Sequence, residues 1–202
     1  MNLFRLVLVF ALTVGFADNL RECAHDVVTQ LDRRFSLIEN AAKWKWNHGM
    51  KVRDDTRRAS LHYLILKMAN AKGYEEKWND DVIDLLLGQA ERYQKHLYYN
   101  WRREGISLFH KPPNIRTVTD PQLDRLTEEL IDLLNAKKDL IKSPGMLAEM
   151  IVFCNKLPES RKYFIAPIIG YLAPGRRPPA EGVKIDCPIG SEIAVSGRID
   201  SL

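Results

Sequence analysis

Cysteine is scarce in this chain, and its three copies, Cys23, Cys154 and Cys187, form no Cys-x-x-Cys pair. The five histidines (His25, His48, His62, His96 and His110) are scattered and show no metal-ligand spacing with the cysteines, so no metal site is indicated. Long apolar runs are also missing. The longest, Leu6 to Leu12, falls well short of the roughly 18 residues that a membrane-spanning helix needs. Before residue 180 no stretch alternates polar and apolar residues as a half-buried strand does, which argues against a sheet protein. A strong charge imbalance is absent too. The formal net charge is +4, and the basic residues are spread among acids without interleaved aromatics, which argues against a nucleic-acid binder. No nucleophile stands beside a base, and no acid pair suggests hydrolysis.

At the start, Arg5, the apolar run and the small residues Gly15 and Ala17 read as a secretory leader over 1–17, with cleavage expected after Ala17. Residues 18–202 then form one helical domain without internal repeats, and its product leaves the cytosol without spanning a membrane. In an oxidising compartment, Cys154 and Cys187 are expected to pair and tie down a Pro/Gly-rich tail over 173–202. Cys23 is left as a buried thiol on an apolar helix face.

The helical period predicts an all-α bundle of about six helices. The first runs from Asn19 to Trp46 with Leu20, Cys23, Val27, Leu31, Ile38, Ala41 and Ala42 on one stripe, and Gly49 near its end as a cap. The second starts after Asp54 as N-cap, carries Leu61, Leu64, Ile65 and Met68, and ends near Gly73. The third runs from Glu75 or Asp80 to Arg103, with Ile83, Leu86, Leu87, Ala90, Leu97 and Trp101 inward. A loop from Gly105 to Thr119 leads to a fourth, with Asp120 as N-cap and Pro121 at its first position, carrying Leu123, Leu126, Leu130, Leu133, Leu134 and Ile141. Ser143-Pro144 opens a fifth, reaching Leu157. A sixth covers Glu159 to Leu172 and contains Pro167.

Several polar residues lie on faces that should be apolar. Arg34 and Lys45, eleven residues apart, point the same way from the stripe of the first helix. Arg57 lies in line with Leu61, Leu64 and Met68, and Gln94 sits among Leu87, Ala90, Leu97 and Trp101. Glu39, Asp55, Asp84 and Glu91 fall elsewhere on their wheels, so buried salt bridges do not account for the cations. Long stems with charged heads in water would explain a single cation. Three cations and an amide converging from three helices point instead to a pocket for a small anion with more than one negative charge. Such a pocket suits a reaction driven by confinement and electrostatics alone.

These residues resemble a known family. Lys45-Trp46, Val52, Asp54 and Arg57 are similar to the K-W…I-x-D-x2-R-E core of the AroQ-type chorismate mutases, and the exported, single-chain subclass is the nearest form. Arg34 stands eleven residues before Lys45, as the family's first-helix arginine does. Ala-Lys-Gly-Tyr at 71–74 resembles the family's turn before the third helix, and Gln94 precedes Trp101 by seven residues, as in its Q-x6-W. The resemblance covers roughly residues 34–134. It implies a cofactor-free pericyclic conversion of chorismate to prephenate, with chorismate as the small-molecule partner, and it leaves a homodimer open. It further implies that Arg34 and Arg57 hold carboxylates and that Lys45 and Gln94 donate to the ether oxygen, with Asp54 beside the substrate. Three positions depart from the pattern. Arg58 replaces a glutamate, Ala90 replaces a small polar residue, and Asp120 replaces an arginine before the proline of helix four. Arg116, four residues earlier, is the expected substitute for that arginine. The alternative is a secreted helical effector or signalling protein on the same scaffold without catalytic activity.

Overall fold

The computed structural model describes residues 2–173, with side chains from residue 17 onward. Cys187, the Cys154–Cys187 pairing and the tail beyond Ala173 therefore lie outside the described residues. Seven α-helices and one π-helical turn make up the described chain: α1 (Asn2–Asn47), α2 (Asp55–Ala71), α3 (Glu76–Arg103), the π-turn (Ile115–Thr119), α4 (Asp120–Ala136), α5 (Lys138–Ile141), α6 (Met146–Cys154) and α7 (Glu159–Leu172). No helix among the described residues is long and apolar enough to cross a membrane.

α1 is the central post, packing against α3, α4, α6 and α7, while α2 lies across α3 and α4. Its expected stripe is buried throughout, from Leu20 to Ala42. The helix begins at Asn2 rather than Asn19, so the backbone of residues 2–18 is wound continuously with the helix that follows. Gly49, Gly73 and Gly105 all have positive φ, which ends the first three helices where an L side chain would be strained.

Three expectations need correction. In α2 the buried residues are Leu61, Ile65 and Ala69, one turn apart, whereas Leu64 is 40% exposed. The fourth helix does not run on to Ile141. It breaks at Lys137, and the short α5 follows. Asp120 is not an N-cap either. Its φ of −61° and ψ of −48° are helical, because the π-turn runs straight into α4. The cap lies at Asn114, whose side chain accepts from the N–H groups of Arg116 and Thr117 at 2.9 and 3.1 Å.

The loop between α3 and the π-turn is fastened to the end of α1. Asn47 exchanges two hydrogen bonds with the backbone of Phe109, at 2.8 and 2.9 Å, and Trp46 donates to Ser107 O at 3.1 Å. The Phe109 ring rests edge-on against Trp101 at 4.5 Å.

Candidate functional site

Lys45, in the last turn of α1, is buried, and its Nζ donates to Val52 O at 2.9 Å. That bond draws the segment between α1 and α2 over the end of α1, so Asp54 caps α2 beside it. The Asp54 carboxylate accepts from the Arg57 N–H at 2.9 Å. Arg57, in the first turn of α2, then faces Gln94 of α3. The Gln94 Oε1 is buried and makes no hydrogen bond.

Lys45, Asp54, Arg57 and Gln94 share one cleft with Arg58, Leu61, Ala90 and Glu91, so three of the four residues singled out by wheel position meet at one place. The cleft holds about 100 Å³, below the ~300 Å³ lower end of ordinary ligand clefts. Desolvation pulls the Lys45 ammonium below its usual range, although Asp54 and Asp120 oppose the shift.

Arg34 is placed differently. It is 2% exposed and does not line the cleft. Its Nε donates to Thr127 Oγ1 at 3.3 Å and its Nη1 to Leu86 O at 3.2 Å, tying α1 to α4 and α3. Burial, and secondarily repulsion from Arg57, lower its pKa to about 10, which leaves it charged at neutral pH.

The wheel positions predicted no acidic partner for these cations, but α4 supplies two. Asp120 Oδ1 lies 3.5 Å from Arg57 Nε, and Asp124, one turn on, accepts from Arg57 Nη2. Both carboxylates are about a quarter exposed. Burial works against the Arg57 charge, but the bonds to Asp124 and Asp120 outweigh it and hold the guanidinium more firmly protonated than usual. Asp120 is pushed up, first by desolvation and then by repulsion from Asp124, with Arg57 opposing. Glu91 also lines the cleft, contrary to its wheel position, and pairs with Lys95 at 2.9 Å. Glu39, Asp55 and Asp84 are taken up by Lys43, Arg53 and Arg58 at 2.7, 2.7 and 2.8 Å.

Arg116 sits on the π-turn with its side chain exposed, outside the cleft lining. Arg58 lines the cleft while reaching to Asp84. Asp124 is the residue that sequence reasoning missed. Its only signal was a second acid one turn after Asp120, on the flank of α4 that carries Thr127.

No family model matches the sequence, and no curated protein matches it. Solved structures do match. The chain superposes on a chorismate mutase from Burkholderia thailandensis with a TM-score of 0.68 at 24% identity, covering 74% of this chain and 98% of that one. A chorismate mutase from Burkholderia phymatum gives a TM-score of 0.69 at 18% identity, covering 76% of this chain and 98% of the other. At these identities the likeness establishes the fold: a helical bundle of the kind those enzymes have.

Proposed function

We propose that this chain is a secreted chorismate mutase, isomerising chorismate to prephenate by a cofactor-free pericyclic rearrangement. The observation that carries the reading is the convergence of Lys45, Arg57 and Gln94 on one cleft, within a bundle that has the fold of chorismate mutases. The reaction breaks a C–O bond as a C–C bond forms, and negative charge develops on the departing ether oxygen. The Lys45 ammonium and the Gln94 amide are the donors for that oxygen. A fixed donor aimed at developing charge contributes about 2.7–4 kcal/mol to lowering the barrier. Gln94 suits the role because it lines the cleft beside Lys45 and its Nε2 carries two N–H donors, while its buried Oε1 is an acceptor that an ether or carboxylate oxygen does not answer. Which end of the amide faces the cleft is set by a flip of its last torsion.

Arg57 takes a substrate carboxylate. A guanidinium has five N–H donors in a fixed fork. Asp120 engages Nε and Asp124 engages Nη2, so the outer edge of the fork remains for the ligand. Arg34, buried behind the cleft and repelled by Arg57, adds positive charge that a bound anion would relieve. The cleft must widen to admit chorismate, and Arg58, a lining side chain about a third exposed, is one that can swing aside.

A second reading is favoured by the same two aspartates. They place negative charge beside the spot where a dicarboxylate binds, as a scaffold that has lost the chorismate reaction would. One assay separates the two readings: consumption of chorismate by the purified mature chain, followed by loss of its ultraviolet absorbance. Turnover abolished by Lys45→Ala supports the enzyme. The absence of turnover in the unmutated chain supports the silent scaffold. Export, cleavage after Ala17 and the Cys154–Cys187 bridge belong to the proposal too. Peptide mapping of the unreduced, exported protein reads all three, and a linkage to Cys23 would refute the pairing.

A further inference from the structure

Away from the cleft, the packing of α2 on α3 gathers three residues that lie far apart in the sequence. His62 Nε2 stands 2.8 Å from Asp80 Oδ1 and 4.0 Å from Asp84 Oδ1. One donor atom from each of the three lies within 4.8 Å of the other two. Ligand atoms about 2.1 Å from a shared ion stand ~3.0 Å apart when adjacent and ~4.2 Å apart when opposite. The measured separations lie close to that range, so small side-chain rotations close the set around one ion. Asp80 and Asp84 are one turn apart on α3 and project together, while His62 reaches them from α2. The three side chains are 28%, 44% and 56% exposed, open enough for an ion to enter and keep water ligands.

We propose that His62, Asp80 and Asp84 form a binding site for a divalent transition-metal ion that clips α2 to α3. One imidazole with two carboxylates favours a borderline ion such as Zn²⁺ over the hard Mg²⁺, which prefers oxygen ligands and holds its water tightly. His62 would bind through Nε2, the ring nitrogen that faces both aspartates. The site has a built-in competitor. Arg58 Nη2 holds the same Asp84 Oδ1 at 2.8 Å, and Arg58 also lines the cleft. An ion on Asp84 therefore loosens Arg58 from its anchor at the cleft rim.

The test is Zn²⁺ titration of the untagged full chain by calorimetry, with thermal melting in parallel. Saturable binding of one Zn²⁺ that raises the melting midpoint is expected, with no such effect from Mg²⁺ at the same concentration. His62→Ala and Asp80→Asn should each weaken the site at least tenfold. Both variants keep all three cysteines, so thiol-bound Zn²⁺ is common to every sample and drops out of the comparison. Arg58→Gln should tighten binding several-fold, because it removes the group that competes for Asp84. That gain would not follow if the three residues were only a hydrogen-bonded surface cluster. Zn²⁺ affinity unchanged in His62→Ala and Asp80→Asn, or no saturable binding to the unmutated chain, overturns the proposal.

Discussion

Asp120→Asn is the most informative single change, because it removes a charge from the site while keeping the shape of the side chain. Asp120 lies 3.5 Å from Arg57 Nε, on the side of the guanidinium away from its free outer edge. A carboxylate bound on that outer edge would stand on the order of 6 Å from the Asp120 carboxylate. Two like charges at that distance repel by about 0.7 kcal/mol at the dielectric of water and about 2.8 kcal/mol at the value of about 20 typical of partly buried sites. Removing the repulsion should lower the Michaelis constant for chorismate by roughly 3- to 100-fold. Turnover should change less, since the carboxylate is held in ground state and transition state alike. Asp124 remains on Nη2, so the fork keeps one of its two supports. Steady-state kinetics by ultraviolet absorbance, with circular dichroism to confirm folding, make the measurement. A Michaelis constant that stays the same or rises in the folded variant would refute the argument. It would mean that Asp120 helps to position Arg57 rather than to repel the ligand.

Asp120 also gives this prediction a pH arm. Its carboxyl is raised above the ordinary range, so acid neutralises it in the folded protein before it would in an unfolded chain. The folded state therefore binds the proton more tightly, and the Asp120 contribution to stability falls as pH rises from the unfolded pKa through the raised one. In the unmutated chain the Michaelis constant for chorismate should drop as pH falls through that same window. Asp120→Asn should flatten both dependences.

Lys45→Ala should lose turnover by at least about 10², measured as chorismate decay, because a charge-stabilising donor is gone. Near-normal turnover in a folded variant would end that assignment. Arg116→Ala should keep unmutated kinetics, since the side chain lies exposed and outside the cleft. A raised Michaelis constant would instead show that the loop closes over the substrate. Asn47→Ala removes both bonds to the Phe109 backbone and should cost about 1–3 kcal/mol by urea unfolding, with faster amide exchange confined to the 105–114 loop.

The helices were legible because burial repeats at the helical period, and α1 and α3 carry enough large apolar residues to fix their inward faces. α2 was misjudged because Leu61-x-x-Leu64-Ile65 offers two overlapping stripes on one wheel. The small Ala69, which decides between them, looked uninformative. Lys45, Arg57 and Gln94 were legible as polar residues on apolar faces, a signal that needs no partner. Arg34 gave the same signal but answers it with Thr127 and the Leu86 carbonyl, a neutral solution that no wheel shows. The aspartates on Arg57 were hidden for a different reason. Asp124 is 67 residues from its partner, and Asp120 before a proline satisfies a local rule for helix starts so well that a long-range role drops from view.

The π-turn ahead of α4 decouples two parts of the chain that would otherwise be geared together. In an uninterrupted α-helix each added or deleted residue turns everything downstream by about 100°. The wider winding over Ile115–Thr119, closed by the five-residue bond from the Asp120 N–H to Ile115 O, takes up an odd residue locally. The loop from Gly105 to Asn114 is thereby free to change length over generations without rotating Asp120, Asp124 and Thr127 away from the two arginines they face. A single deletion inside the turn removes that odd residue and lets the segment rewind at the α-helical period, whereas a deletion inside α4 between Asp120 and Asp124 would swing Asp124 and Thr127 off the two arginines in one step.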